Sequence, residues 1–204
     1  MHQITEYLSQ QDPVLGNYLS SATSVTVAVN TEISLFQALV KSIISQQLSV
    51  TAASSIFRNV LTNFSNSGVL RPEIILATPS LLLRNCGLSA AKTDTVLSTA
   101  EKIVENTIPT SDEMSSMTDE NIIATLTTIK GIGRWTAEMI LIFHLGKPDV
   151  MPATDLGIQK GFSKIFGLEI RATPTTILER SERWRPYRTT VSLHCWKILD
   201  ENGQ

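Results

Sequence analysis

The sequence predicts an all-α fold, and three observations carry the prediction. Apolar residues recur at helical spacing in segment after segment from Ser34 onward. Ser, Thr or Asp opens these segments, and Gly or Pro closes them. No alternating strand pattern or hairpin signal of weight interrupts them. Roughly ten helices of ordinary length are expected.

The elements follow in order. Tyr7, Leu8, Val14, Leu15, Tyr18 and Leu19 suit a helix in the opening 30 or so residues, and Val25 to Val29 is an extended run too short to found a sheet. Phe36, Leu39, Val40, Ile43 and Ile44 form one helical stripe, and Ala52, Ala53, Ile56, Phe57, Val60 and Leu61 form the next. Between them lies the polar corner Ser45-Gln46-Gln47-Leu48-Ser49, which reads equally as a turn capped by Ser49 or as a corner facing a cleft. Thr78 and Pro79 suit an N-cap and first turn, with Gly87 as the stop of a short helix over Leu81–Leu83. Ser89 caps a long helix carrying Val96, Leu97, Ala100, Ile103 and Val104. Thr118 starts another, with Asp119 and Glu120 placed to favour its macrodipole. Ile158, Phe162, Ile165 and Phe166 mark a helix ending at Gly167. Thr173-Pro174 caps a further one, and Pro186 separates it from a last helix with Val191, Cys195, Ile198 and Leu199.

With 42% hydrophobic residues, the 204-residue chain can bury a sizeable core as one domain or as two lobes sharing a cleft. Its longest apolar runs, such as Met139 to Phe143, fall far short of the roughly 20 residues needed to cross a bilayer. The N-terminus MHQITEYLSQQD lacks a secretory pattern. An intracellular protein with no membrane partner is expected. Cys86 and Cys195 lie far apart and in no metal-binding spacing, which argues against disulfide, zinc or iron–sulfur frameworks. Net charge is −2, but residues 1–129 carry 6 Lys+Arg against 11 Asp+Glu, and residues 130–204 carry the remaining 11 against 8. The basic half contains the stretch with the most chemistry.

That stretch runs from Leu126 to Asp155. A Gly-bracketed turn, Ile129-Lys130-Gly131-Ile132-Gly133, joins a helix bearing Ile122, Ile123 and Leu126 to one bearing Trp135, Met139, Ile142 and Phe143; a loop then ends on Asp155. Two glycines bring backbone N–H groups close to a ligand at a helix N-terminus, where phosphate is the natural guest. A purely structural αα turn fits the same residues. Asp155 could equally be an N-cap for the helix beginning at Leu156.

The residues from Ile129 to Ala137 (IKGIGRWTA) and the following DVMPATDLGIQK, ending at Lys160, resemble the hairpin and Pro/Asp loop of the helix-hairpin-helix DNA glycosylase superfamily. Within it they are most similar to the alkylpurine branch, the 3-methyladenine DNA glycosylase II type of bacteria and fungi. Phe36 to Val50 (FQALVKSIISQQLSV), Gly87-Leu88-Ser89 with Lys92, and Glu182 to Trp196 (ERWRPYRTTVSLHCW) agree, so the resemblance covers most of the chain from Ser34. It implies one glycosylase domain over 1–204, with one lobe over about 35–145 and another over about 1–34 plus 146–204, flanking a DNA-binding cleft.

The resemblance also assigns residues. Asp155 becomes the catalytic carboxylate, stabilising oxocarbenium character on the sugar or orienting water. Trp135 stands where bifunctional relatives carry a Schiff-base lysine, which implies a monofunctional enzyme that leaves an abasic site. Trp135, Met139 and Trp196 fall on base-pocket positions, where indole faces suit a cationic purine; both tryptophans also fit a core role. Gln47, Leu48 and Ser49 match the segment that fills the hole left by a flipped base. Lys130, Gly131, Ile132, Gly133 and Arg134 complete the DNA-binding set. The carbonyls of Thr127, Ile129 and Ile132 match positions that hold a monovalent cation, Na⁺ or K⁺, with no cofactor required and no iron–sulfur cluster. His144 and His194 have no matched ligand partners. The expected partner is double-stranded DNA with a damaged base or abasic site, bound by a monomer, in the nucleus if the source is eukaryotic. The alternative is a glycosylase-like module that binds abasic or distorted DNA with little or no excision. A helical protein-interaction domain without a DNA role is a third reading of the same helices.

Overall fold

The computed structural model describes residues 2–29 and 32–200. Met1 and Asn30, at the ends of the expected opening segment, lie outside them. The chain divides into two compact units, Met1–Ala28 with Gly146–Gln204 and Val29–Leu145. Among the described residues there are thirteen α-helices, one 3₁₀ turn and one two-residue hairpin.

The first unit opens with α1 (His2–Gln11) and α2 (Pro13–Ser21). The expected single helix is therefore two, because Asp12 accepts from Val14 N and Leu15 N and Pro13 takes the first turn. Residues 23–29, which include the run expected to be extended, carry no regular secondary structure.

The second unit begins with α3 (Leu35–Ser45) and α4 (Val50–Phe64), N-capped by Ser34 and Ser49. Helix α3 is buried nearly all round, through Leu35, Phe36, Ala38, Leu39, Val40, Ile43 and Ile44, and is the central element of this unit. Its buried Gln37 accepts from Leu70 N at 2.9 Å, tying down a hairpin that sequence patterning does not predict, β1 (Ser65–Asn66) with β2 (Val69–Leu70). Ser67 and Gly68 both have positive φ, which suits so short a loop.

Helices α5 (Pro72–Ala77) and α6 (Ser80–Asn85) follow. Thr78 is the C-cap of α5 rather than an N-cap: its hydroxyl bonds back to Ile74 O at 2.7 Å and Pro79 opens α6. Then come α7 (Ala90–Val104), capped by Ser89, and α8 (Ser111–Ser115), whose Thr110/Glu113 capping box is legible in sequence as T-x-x-E. The unit closes with α9 (Asp119–Leu126), capped by Thr118, and α10 (Arg134–Phe143). Helix α3 packs on α4, α7 and α10. His144 is buried with Nε2 2.8 Å from Ser111 Oγ.

The chain returns to the first unit with α11 (Leu156–Ile165), α12 (Pro174–Ser181), the 3₁₀ turn Glu182–Trp184 and α13 (Arg188–Asp200). Leu8, Leu15 and Leu19 join Ile158, Phe162, Ile177, Trp184, Val191 and Cys195 in one core. Asp12, 1% exposed at its side chain, is forked by Arg180 at 2.8 and 2.9 Å. That fork ties the N-terminal helices to α12. No helix of the described residues is long and apolar enough to cross a membrane.

Candidate functional site

Each unit has one corner with chemistry. In the first unit it is the start of α11. The approach loop is stitched to the N-terminal turns of α13. Asp149 accepts from Arg188 N (3.3 Å), Arg188 Nε (2.8 Å) and Arg185 Nη1 (2.6 Å). Thr189 Oγ1 donates to Lys147 O at 2.7 Å and accepts from Val150 N at 3.0 Å, while Ser192 Oγ donates to Val150 O at 2.9 Å. Gln159 Nε2 then holds Ala153 O at 3.0 Å. A loop whose carbonyls and amides are taken up this completely is a rigid mount.

Asp155 sits at the end of that mount, half-buried, as the N-cap of α11. Two donors converge on its Oδ1: Ile158 N at 2.8 Å and Trp196 Nε1 at 2.9 Å. Gly157 makes the second bond sterically feasible, because a Cβ there would lie 2.8 Å from Trp196 Cδ1 and 2.9 Å from Asp155 Oδ1. One turn on, Gly161 lets α11 approach α13 so closely that a Cβ would overlap the Cys195 carbonyl. Burial first, and the charge of Asp155 second, push the Cys195 thiol well above the ordinary cysteine range, so it is an inert core thiol.

In the second unit the corner is the turn between α9 and α10. Buried Ile129 and Ile132 anchor it, with Ile132 N donating to Ile129 O at 3.0 Å. Its two glycines differ in kind. Gly131 has φ +89°, and a Cβ there would overlap Thr95 Oγ1 of α7, so both backbone conformation and packing demand glycine. Gly133, the N-cap of α10, has φ −96° and nothing within 4 Å of where a Cβ would lie. The space beside the Gly133 Cα is therefore open, and the first N–H groups of α10 have no acceptor within their own helix.

Lys130 is exposed on the turn. Arg134 is exposed; its guanidinium forks Glu120 at 2.6 and 3.1 Å, and its Nε bonds Glu138 at 3.0 Å, joining α9 to α10. Trp135 is half-buried and Met139, one turn on, is buried. Gln47, Leu48 and Ser49 are exposed at the α3–α4 corner, with Gln47 at φ +55° and Ser49 capping α4. Next to them Val50 is 84% exposed.

The HhH-GPD superfamily base excision DNA repair protein model matches residues 40–186. The chain belongs to the HhH-GPD superfamily. DNA-3-methyladenine glycosylase 1 of Schizosaccharomyces pombe is 41% identical over 163 residues, covering 79% of this chain and 71% of the relative. The alkylbase DNA glycosidase-like protein mag2 of the same organism is 30% identical over 202 residues, covering 98% of this chain and 95% of that one. The solved structure of Schizosaccharomyces pombe 3-methyladenine DNA glycosylase (Mag1) in complex with abasic DNA superposes with a TM-score of 0.90 at 34% identity, covering 97% of each chain.

Within this HhH-GPD chain several supporting residues escape a sequence reading. Gly157 and the Asp149–Arg188 pair carry no local signal, since their partners lie about 40 residues away. The partners of Gln46, Lys92, Thr95 and Thr136 around the hairpin are likewise distant in sequence, although Gln46 and Lys92 themselves fall in the blocks that carry the resemblance. A monovalent cation suits the expected hairpin carbonyls chemically, because neutral, hard oxygens favour Na⁺ or K⁺. Ile129 O keeps a second lone pair beside its bond from Ile132 N. Among the described residues no cluster of three His, Cys, Asp or Glu side chains is placed to hold a metal.

Proposed function

We propose that this HhH-GPD protein is a monofunctional DNA glycosylase that releases alkylated purines from double-stranded DNA. The observation that carries the reading is the double anchoring of Asp155 Oδ1 by Ile158 N and Trp196 Nε1 at the head of α11. A carboxylate held that rigidly can face charge developing on a sugar without reorganising during the reaction. In the reaction the bond from C1′ to the purine nitrogen breaks, its electron pair leaves with the base, and water oxygen bonds to C1′. Asp155 stabilises the cationic sugar or takes the proton of that water. An alkylated purine is already cationic and departs neutral, so no dedicated acid is needed for it. Trp135 cannot form an imine, which supports hydrolysis without strand cleavage.

The amides at the start of α10, beside the open face of Gly133, would receive a DNA phosphate, fixing register without reading sequence. The carbonyls of Thr127, Ile129 and Ile132 would hold a Na⁺ or K⁺ ion whose charge supports that phosphate. Trp135 and Met139 on α10, and separately Trp196 on α13, are the residues offered to the flipped base, and Trp196 has its indole N–H committed to Asp155. Gln47, Leu48 and Ser49 fill the stack after the base is flipped out. The protein works as a monomer inside the cell wherever the genome lies, the nucleus in a eukaryote.

The test is base release from methylated duplex DNA. Wild type should liberate methylpurine, and Asp155→Asn should lower turnover by about 10²-fold or more while DNA affinity is retained. Equal loss of turnover and affinity contradicts the catalytic role. A second reading, binding of abasic or distorted DNA without useful excision, is favoured by the small, exposed Ser49 in the stack-filling turn and by the full-length likeness to a glycosidase-like relative. Tight binding of abasic duplex by a wild type that releases no purine would select it.

A further inference from the structure

We propose that Gln46 and Lys92 are positioning residues that lock the Gln47–Ser49 turn to the Gly131–Gly133 hairpin, making one rigid piece that both fills the base stack and pins a phosphate. The proposal rests on the reading that this chain binds damaged or abasic DNA through those two segments. It does not need base excision.

Gln46 is the C-cap of α3 and is held from two sides. Its side-chain Nε2 donates to Gly131 O at 3.1 Å and to Thr136 Oγ1 at 2.9 Å, so both amide hydrogens go to the hairpin and the first turn of α10. Its backbone carbonyl accepts from Lys92 Nζ at 2.7 Å, and the same ammonium bonds Ile44 O at 2.7 Å. These are end carbonyls of α3, which have no partner in their own helix. A cation also suits the negative end of that helix.

Lys92 is half-buried, and burial pushes its ammonium below the ordinary lysine range. Such a group is stabilised by acceptors built around it, which here are the carbonyls at the root of the turn it supports. One helical turn further along α7, Thr95 occupies the space that a side chain on Gly131 would need. The first turns of α7 are thus a common platform: Lys92 grips the root of the stack-filling turn, and Thr95 seats the hairpin. Gln46 bridges the two directly. The turn itself is left exposed, with Gln47 in a left-handed conformation and Leu48 41% exposed.

A locked turn reaches the stack in the same place each time a phosphate is pinned, so its orientation is settled before binding. Loosening it should weaken recognition of a site with a missing base and leave capture of ordinary duplex alone. The experiment measures affinity for abasic-site duplex and for undamaged duplex across a salt series, with 2-aminopurine beside the abasic site reporting insertion. For Gln46→Leu and Lys92→Met, abasic-site affinity should fall about tenfold. Undamaged-duplex affinity and the salt slope should stay at wild-type values, and the 2-aminopurine response should shrink. Gln46→Leu with Thr136→Val should cost no more than Gln46→Leu alone, since both remove the same bond.

An unchanged ratio of abasic to undamaged affinity in folded variants overturns the proposal. So does a parallel loss of both affinities with thermal stability, or a wild type with no preference for abasic duplex. Base release from methylated DNA is scored separately. A wild type that prefers abasic sites but releases no purine would refute the glycosylase reading and leave this test intact.

Discussion

The acid corner of the first unit and the hairpin corner of the second are built from different interactions. Around Asp155 ion pairs work beside neutral bonds: Asp149 pairs with Arg185 and Arg188 in the approach loop, and Asp12 with Arg180 behind the core. Around Gly131 they are an amide, a hydroxyl, carbonyls, one lysine and a packing contact, and Arg134 alongside pairs with Glu120 and Glu138. Carboxylates titrate in acid, whereas amides and hydroxyls do not. The difference teaches that the first unit leans on a buried carboxylate, Asp12, whose protonation in acid should loosen it.

The largest expected effect probes that dependence. Burial by itself raises the Asp12 pKa, but the Arg180 fork, the Leu15 amide and the charges of Arg180 and Arg183 outweigh it and leave the carboxyl below the ordinary aspartate range. Its stabilisation is complete above the unfolded value of about 3.9 and is lost as pH falls through the lower folded value. Asp12→Asn should cost about 3 kcal/mol at pH 7 by stranding Arg180, and should flatten the acid limb of stability in urea unfolding between pH 7 and pH 2. An acid limb as steep as wild type would break the comparison.

Next in size, Gly131→Ala should lose about 2 kcal/mol in the same unfolding assay, since it forces a side chain into a left-handed backbone and into Thr95. Trp196→Phe keeps a ring but removes the donor to Asp155, and should lower kcat for base release about tenfold with little change in KM. A rise in KM at constant kcat would instead mark Trp196 as a binding face alone. The smallest effect on folding belongs to Gly133→Ala, within about 0.5 kcal/mol because the site is open and its φ is ordinary. Its DNA affinity should nevertheless fall severalfold, because the new methyl stands where a phosphate would approach. Together the two glycine variants separate a glycine needed by the fold from one needed by the ligand.

Several parts of the fold are legible locally. Ser34, Ser49, Ser89, Thr118, Asp155 and Thr173 all cap the helices that follow them, through bonds spanning three residues. The stripes over α3 and α11 likewise mark buried faces, because 3.6-residue periodicity is a property of the chain itself. Thr78 misleads because Thr-Pro suits the end of one helix as well as the beginning of the next, and the two-residue hairpin is too short to leave an alternating pattern.

By itself, then, the sequence determined the helical class, most helix starts, the Gly-bracketed turn and the acid that follows it, all matters of neighbouring residues. Only the tertiary structure decided which glutamine of the Gln46-Gln47 pair turns inward, that Lys92 grips the end of α3, that Arg134 pairs with Glu120 and Glu138, and that Gly157 makes room for Trp196 to reach Asp155. Those facts depend on groups between 4 and 90 residues apart meeting with hydrogen-bond geometry. Such meetings are set by how whole helices pack, which periodicity and capping leave open.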